Sequence, residues 1–176
     1  KEQLNLSTED AKLLEDLYES FKANGATLNK DDKEKYRKLS MDLSMLTLQF
    51  DQNALKDKNR FELLITDENE LSGLPESARD AAAMLAKSKD KNGWLFNLSA
   101  PSYIPFMRYS DKRDLREKMY REYMSVGNKG DEFDNKDIIK KIVNIRLEIA
   151  QLMGFKNYAE YALEHTMAKN SANVYK

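Results

Sequence analysis

One stretch decides the fold of this chain, and it reads GWLFNLSAPSYIPFMRY at residues 93–109. It contains the only tryptophan, Trp94, and two of the three prolines, Pro101 and Pro105. Within it the apolar residues change from every second position, which is typical of a strand, to every third or fourth, which is typical of a helix. The rest of the chain has mostly helical spacing, so we expect a helical protein with one small β element.

Two short strands are predicted, at residues 61–65 and 94–98. Their apolar residues occupy alternate positions, at Phe61, Leu63 and Ile65 and at Trp94, Phe96 and Leu98. An isolated strand cannot satisfy its own backbone hydrogen bonds, so the two should pair with each other or with a strand of a longer polypeptide. The helix between them permits either direction of pairing, and we favour an antiparallel ribbon.

Two helices are predicted before the first strand. Ser7 and Asn29 are suitable N-caps, and Gly25 ends the first helix. The first helix should bury Leu14, Leu17, Tyr18 and Phe21. The second has a seam with alternating steps of three and four, at Tyr36, Leu39, Leu43, Leu46 and Phe50. We expect the two helices to pack antiparallel. Additional apolar residues predict a second covered side of the second helix, at Met41, Met45 and Leu48.

Five helix starts are predicted after the first strand. Pro75 lies in the first turn of one helix, and Ser102 caps a short helix over residues 103–109. Ser110 caps the next helix. Asp134 or Asn135 starts an isoleucine-rich core helix. The helix after Ser110 should point five residues inward, at Leu115, Met119, Tyr120, Tyr123 and Met124. Asn157 and Glu160 form a capping box for a last helix through Met167. The predicted fold class is mainly α, an antiparallel helical bundle with one small two-stranded β element.

Composition excludes several classes of protein. The 176 residues suit one domain, and the absence of cysteine excludes disulfides and thiolate metal sites. A net charge of -1 without a long run of like charges argues against nucleic-acid partners. No apolar run approaches the ~20 residues of a membrane span. The start at Lys1 and a helix cap at Ser171, with almost no helix after it, lead us to expect a piece of a longer protein.

Four patterns suggest binding sites, and a structural interpretation is favoured for each. His165 is the only histidine and lies near a predicted helix end, where a cation interacts favourably with the helix dipole. Residues 131–135 suggest a calcium loop, but Phe133 stands at a ligand position and the sixth-position glycine is missing. Gly127 and Gly130 resemble a nucleic-acid clamp loop without its flanking strands. Five aromatic residues could line a peptide groove, although their helical spacing favours a core: Tyr103, Phe106, Tyr109, Tyr120 and Tyr123.

Seven short motifs occur in one order along the chain: LSGLPE at 71–76, GW at 93–94, APSYIPF at 100–106, LREKMY at 115–120, DN at 134–135, LMGF at 152–155 and YAEY at 158–161. Together they resemble the zinc metallopeptidase family of thimet oligopeptidase, oligopeptidase A and peptidyl-dipeptidase Dcp. The likeness extends over nearly the whole chain, and the bacterial peptidyl-dipeptidases are expected to be the nearest branch.

This resemblance implies a large helical enzyme with a deep channel, which hydrolyses short peptides with one zinc ion. The family binds zinc through a His-Glu-x-x-His helix and a downstream glutamate. The present sequence has one histidine and no His-Glu pair. We therefore predict no catalytic, cofactor-binding or metal residue here, with zinc held elsewhere in the parent protein.

The resemblance places residues 1–176 upstream of the zinc motif, as a single helical segment of the N-terminal and channel-wall region. Its expected partners are short peptide substrates of the parent and the remainder of the same polypeptide, with no nucleic acid and no membrane. We expect the peptidase to release C-terminal dipeptides or to act as an oligopeptidase, in the cytoplasm or alternatively the periplasm. The alternative hypothesis is a non-enzymatic helical protein-interaction module.

Overall fold

The computed structural model describes residues 6–176, which contain eight α-helices and one two-stranded antiparallel sheet. The elements are α1 (Thr8–Ala23), α2 (Lys30–Arg60), β1 (Leu63–Ile65), a 3₁₀ turn (Glu68–Leu71), α3 (Glu76–Ser88), β2 (Trp94–Phe96), α4 (Ala100–Tyr109), α5 (Arg113–Met124), α6 (Lys136–Leu152), α7 (Tyr158–Leu163) and α8 (Ser171–Val174). The predicted fold class is confirmed. No described helix is both long enough and apolar enough to cross a bilayer.

The chain divides into two compact units. One unit is Leu48–Ile139, and the other combines the residues up to Thr47 with Lys140–Lys176. The first of these, which we call the central unit, contains the sheet with α3, α4 and α5. The second, which we call the terminal unit, contains α1, α7 and α8.

The two strands of the central unit pair antiparallel, as predicted, with Leu63 opposite Phe96 and Ile65 opposite Trp94. Side chains from both strands and three helices form one buried core: Leu63, Ile65, Leu71, Leu74, Ala82, Phe96, Leu98, Phe106 and Met119. At its centre the rings of Phe96 and Phe106 meet edge to face with centroids 4.7 Å apart, a favourable geometry for two aromatic rings. The stretch at residues 93–109 therefore supplies both a strand and a helix to the core.

The start of α4 differs from the prediction. The helix begins at Ala100 with Ser99 as its N-cap, so Pro105 lies in the helix interior and not at its third position. Ser102 is not the cap, because its hydroxyl accepts a hydrogen bond from the backbone N–H of Asn97 at 3.0 Å. Pro101 takes the tolerated early position instead. The sequence offers two serines at suitable spacing, and in the structure the Ser102 hydroxyl is engaged by the backbone of Asn97.

The start and orientation of α5 also differ. Ser110 ends α4 and is buried, and α5 begins only at Arg113. Met119 is buried and Leu115 packs against the core, as predicted. Three residues predicted to point inward are instead 40–61% exposed: Tyr120, Tyr123 and Met124. A twelve-residue helix packed on one side cannot bury so wide an apolar arc, so part of it faces outward.

In the terminal unit the predicted caps are correct, but much of the predicted burial is wrong. Ser7 and Asn29 accept hydrogen bonds from the backbone N–H groups of Asp10 and Asp32. The apolar residues of α1 are 49–66% exposed, at Leu14, Leu17, Tyr18 and Phe21. The predicted second covered side of α2 is 58–68% exposed, at Met41, Met45 and Leu48. The predicted seam of α2 is half-buried, at Tyr36, Leu39, Leu43, Leu46 and Phe50.

The C-terminal helices begin near the predicted positions, and α7 is shorter than predicted. Helix α6 buries Ile142, Ile149 and Ala150 but leaves Val143 exposed, so it is a core helix on one side only. Asn157 caps α7 as predicted, whereas the helix ends at Leu163 and not at Met167. The cap of α8 is Asn170 rather than Ser171. Ser171 instead donates its hydroxyl hydrogen to Glu160.

Candidate functional site

The arrangement of acids and the single imidazole does not fit a hydrolytic zinc centre. Among residues 6–176, no group of three or more His, Asp or Glu side chains lies close enough to hold a metal ion. His165 lies in the exposed turn after α7, and its Nε2 is 3.4 Å from a carboxylate oxygen of the neighbouring Glu164. A catalytic zinc needs three protein ligands, so this exposed pair is not a zinc site.

The acids of residues 131–135 are engaged with the protein itself. Asp131 accepts hydrogen bonds from Arg60 and from the backbone N–H of Phe133. Asp134 accepts from the backbone N–H groups of Gly130 and Lys136, and it forms an ion pair with the Lys136 ammonium at 2.8 Å. These contacts lower the pKa of Asp134 to about 2, with the Lys136 ammonium as the largest cause. The loop carboxylates therefore hold the chain in place and do not form a calcium cage.

Asp57 near the end of α2 is the fully buried acid of the central unit, and sequence reasoning missed it. Its carboxylate accepts from the backbone N–H of Gly127 at 2.7 Å and forms ion pairs with Arg60 at 2.7 Å and Lys129 at 3.1 Å. Lys129 also contacts Glu122 at 2.8 Å. A buried carboxylate needs such partners, so Asp57 has a structural role in fixing the loop between α5 and α6.

The loop containing Gly127 and Gly130 is a structural loop. Gly127 has φ +69°, and a Cβ there would lie 3.0 Å from the amide nitrogen of Asn135. Asn135 is buried, donates to the backbone carbonyl of Phe50 at 3.0 Å, and accepts from Asn53 at 3.1 Å. The loop thus packs on the second half of α2, and this explains the glycine at 127 without a nucleic-acid ligand.

The aromatic series divides between core and surface. Phe106 is fully buried, as the core interpretation predicts. The ring of Tyr103 is partly buried and stacks on Tyr123, with centroids 4.2 Å apart. Tyr109 and Tyr120 are 46% and 49% exposed. The core interpretation is therefore confirmed for Phe106, while the surface residues form no single aromatic groove.

One of the motifs that carry the resemblance, LSGLPE at 71–76, contacts the junction between α4 and α5, more than thirty residues later in the chain. The Ser72 hydroxyl donates to Asp111 at 2.6 Å, and the backbone N–H of Asp111 donates to the carbonyl of Ser72 at 2.9 Å. Gly73 has φ +83°, and a Cβ there would overlap the carbonyl oxygen of Tyr109. The tight turn at residues 72–73 thus holds the junction between α4 and α5.

The fold and these contacts describe a mainly helical protein. Its clusters of polar side chains hold its own loops in place. Comparison with known proteins extends this conclusion. The family model "Peptidase family M3" matches residues 106–176. Oligopeptidase A from Salmonella typhimurium is 38% identical over 173 residues, which are 96% of this chain and 25% of that protein. The chain is therefore homologous to a segment of the M3 oligopeptidases.

Two further relatives show how the likeness is distributed. A probable cytosolic oligopeptidase A from Arabidopsis thaliana is 39% identical over 171 residues, covering 93% of this chain and 24% of that protein. A dipeptidyl carboxypeptidase from Escherichia coli is 32% identical over 170 residues, covering 96% of this chain and 25% of that protein. The chain thus spans about a quarter of the length of these relatives. The expectation that peptidyl-dipeptidases are the nearest branch is wrong, because oligopeptidase A sequences match better.

Proposed function

We propose that this chain is a non-catalytic segment of a zinc-dependent peptidase of the M3 kind, part of its N-terminal and channel-wall region. The observation that carries the proposal is the continuous likeness to oligopeptidase A over 96% of the chain. The residues present do not fit the family's zinc site, since one histidine cannot provide a His-Glu-x-x-His helix. The zinc ligands and the glutamate that activates water would therefore lie in another part of the polypeptide.

For the parent protein we propose hydrolysis of short peptides as an oligopeptidase. The oligopeptidase A relatives are 38–41% identical, whereas the dipeptidyl carboxypeptidases are 29–32% identical. The higher identity favours the oligopeptidase over release of C-terminal dipeptides. A relative described as cytosolic supports a cytoplasmic location for the parent.

The gene beyond the codon for Lys176 provides the first test. Codons for His-Glu-x-x-His downstream in the same reading frame would support the proposal. A stop codon directly after the segment would overturn it and favour the helical interaction module.

The purified chain provides the second test. We expect it to retain no stoichiometric zinc after gel filtration and to cleave no blocked test peptide, because its one imidazole has only Glu164 beside it. Zinc is measured by atomic emission, and cleavage is measured by chromatography of the peptide. The control variant His165→Ala should give the same zinc content as the unchanged chain. Metal-dependent cleavage that survives repurification would contradict the assignment.

A further inference from the structure

A groove on the outward side of α5 combines three arginines with an apolar floor. Six residues line it: Met107, Arg113, Arg116, Glu117, Tyr120 and Arg121. All but Met107 belong to α5, and that helix packs on the core through its other side, with Met119 fully buried. The groove lies within the central unit and opens to solvent.

The charges in this groove do not cancel. Glu117 is the only carboxylate of the lining, and it forms an ion pair with Arg121 at 2.7 Å. Arg116 donates to the backbone carbonyl of Ser110, which orients its guanidinium without neutralising it. Arg113 forms no ion pair with any carboxylate among residues 6–176. The groove therefore has an excess of two positive charges.

The carboxylate of Asp111, two residues before Arg113, does not supply the missing charge. Asp111 lies before the first turn of α5, and its carboxylate accepts the hydroxyl hydrogen of Ser72 at 2.6 Å. The backbone N–H of Asp111 also donates to the carbonyl of Ser72. This carboxylate holds the turn at residues 72–73, so it does not neutralise Arg113 or Arg116.

The floor of the groove is unusual for a solvated helix face. Tyr120 is 49% exposed, and Met107 is partly buried against the core. Tyrosine, methionine and arginine are the residues that binding surfaces favour. A guanidinium can hold a carboxylate with two parallel hydrogen bonds. Together these features suit a ligand with carboxylates on a partly apolar body.

The dimensions of the groove suit a short extended peptide. The eight-residue step from Arg113 to Arg121 spans about 12 Å along the helix. An extended peptide rises about 3.3 Å per residue, so roughly four of its residues cover this distance. One acidic side chain could meet Arg113 and Arg116 near one end of the groove, and a second, three or four residues further on, would share Arg121 with Glu117.

We propose that this face of α5 binds the acidic side chains of short peptides. This inference rests on the proposed function, because a channel wall of a peptidase meets such peptides. It assigns to the parent a preference for acidic substrates, set by Arg113 and Arg116.

The test is fluorescence anisotropy with the full 176-residue chain and a labelled pentapeptide blocked at both ends, with glutamates at positions one and four. We expect saturable binding that weakens as salt is raised, because charge pairs at a surface are screened. The same peptide with glutamines should bind about tenfold more weakly. Arg113→Ala should weaken binding of the glutamate peptide by about the same factor and leave the glutamine peptide unaffected.

Lys118→Ala is the matched control, since it removes a positive charge from the same helix outside the groove. Its affinity for the glutamate peptide should stay within about twofold of the unchanged chain. Circular dichroism would confirm that each variant is folded. The double variant Arg113→Ala, Arg116→Ala provides a second measurement. It should weaken binding of the glutamate peptide more than Arg113→Ala alone.

Three results would overturn the inference: equal binding of the glutamate and glutamine peptides, equal losses for Lys118→Ala and Arg113→Ala, or no binding of either peptide. Preferential binding of a neutral peptide with a free C-terminal carboxylate would also overturn the assignment to side chains. None of these results would affect the test by downstream codons, so failure of the inference is distinguishable from failure of the proposed function.

Discussion

Asp57 shows how one buried carboxylate can organise a loop far away in sequence. Its partners are the backbone N–H of Gly127, the ammonium of Lys129 and the guanidinium of Arg60. Burial lowers the pKa of Lys129, but hydrogen bonds to Glu122 and Asp57 outweigh it and raise the pKa. The ion pairs therefore keep Lys129 charged, and the loop after α5 depends on this one carboxylate.

Replacing Asp57 by alanine should destabilise the protein, because the N–H of Gly127 and the charge of Lys129 lose their buried acceptor. We expect a loss of about 2–3 kcal/mol in the free energy of unfolding, measured with urea. Asp51→Ala is the control, since this acid lies on the exposed side of the same helix, and it should change stability by less than about 0.5 kcal/mol. Equal losses would contradict the assigned role.

Asp134 should make the protein sensitive to acid. Its pKa is lowered from 3.8 to about 2 in the folded protein, first by the Lys136 ammonium and then by backbone N–H groups. A lowered folded-state pKa stabilises the protein above the unfolded pKa near 4, and this contribution is lost as pH falls towards 2. Asp134→Asn keeps an oxygen acceptor and should flatten the pH dependence of thermal unfolding between pH 4 and 2. An unchanged slope would contradict this prediction.

At the level of elements, the junction between α4 and α5 depends on the turn at residues 72–73. Two hydrogen bonds join Ser72 to Asp111. Gly73 brings its backbone so close to Tyr109 that no side chain fits. The junction also sets the direction of α5, and with it the outward position of the arginine groove.

Gly73→Ala should therefore destabilise the protein by more than the strain of placing an alanine at positive φ. Gly130 is the matched control, because it also has positive φ, +73° compared with +83°, but nothing lies within 4 Å of a Cβ there. We expect Gly130→Ala to lower the free energy of unfolding by about 1–2 kcal/mol. Gly73→Ala should lower it by about 1–3 kcal/mol more. Chemical denaturation of both variants measures the difference, and equal costs would show that the close approach is unimportant.

At the level of the whole molecule, the exposed apolar residues agree with the proposal that this chain is part of a larger protein. On α2 they recur at steps of four, three and seven, at Met41, Met45, Leu48 and Leu55, and they are 58–68% exposed. Such a stripe is typical of a helix that packs against a neighbour. Large exposed apolar patches commonly mark interaction surfaces.

We expect the isolated chain to self-associate as its concentration is raised, because association removes this apolar surface from water. Met45→Lys should reduce the association, measured by sedimentation velocity. Gln49→Lys is the control, since it adds the same charge to an exposed position of the same helix. A monomer at all concentrations, or equal effects of the two variants, would contradict the prediction.

The sequence by itself determined the local features of this protein. Apolar spacing predicted the helices and the two strands, and polar side chains at Ser7, Asn29 and Asn157 identified three helix starts. These features depend on residues only a few positions apart, whose backbone geometry is set locally. The short motifs likewise identified the peptidase likeness.

Only the tertiary structure decided which of several allowed arrangements forms. The role of Asp57 depends on Gly127, seventy residues later. The outward position of Tyr120 depends on how α5 packs against the core. Periodicity shows that a helix has an apolar side but not how much of that side a neighbour covers, because burial is set by contacts distant in sequence.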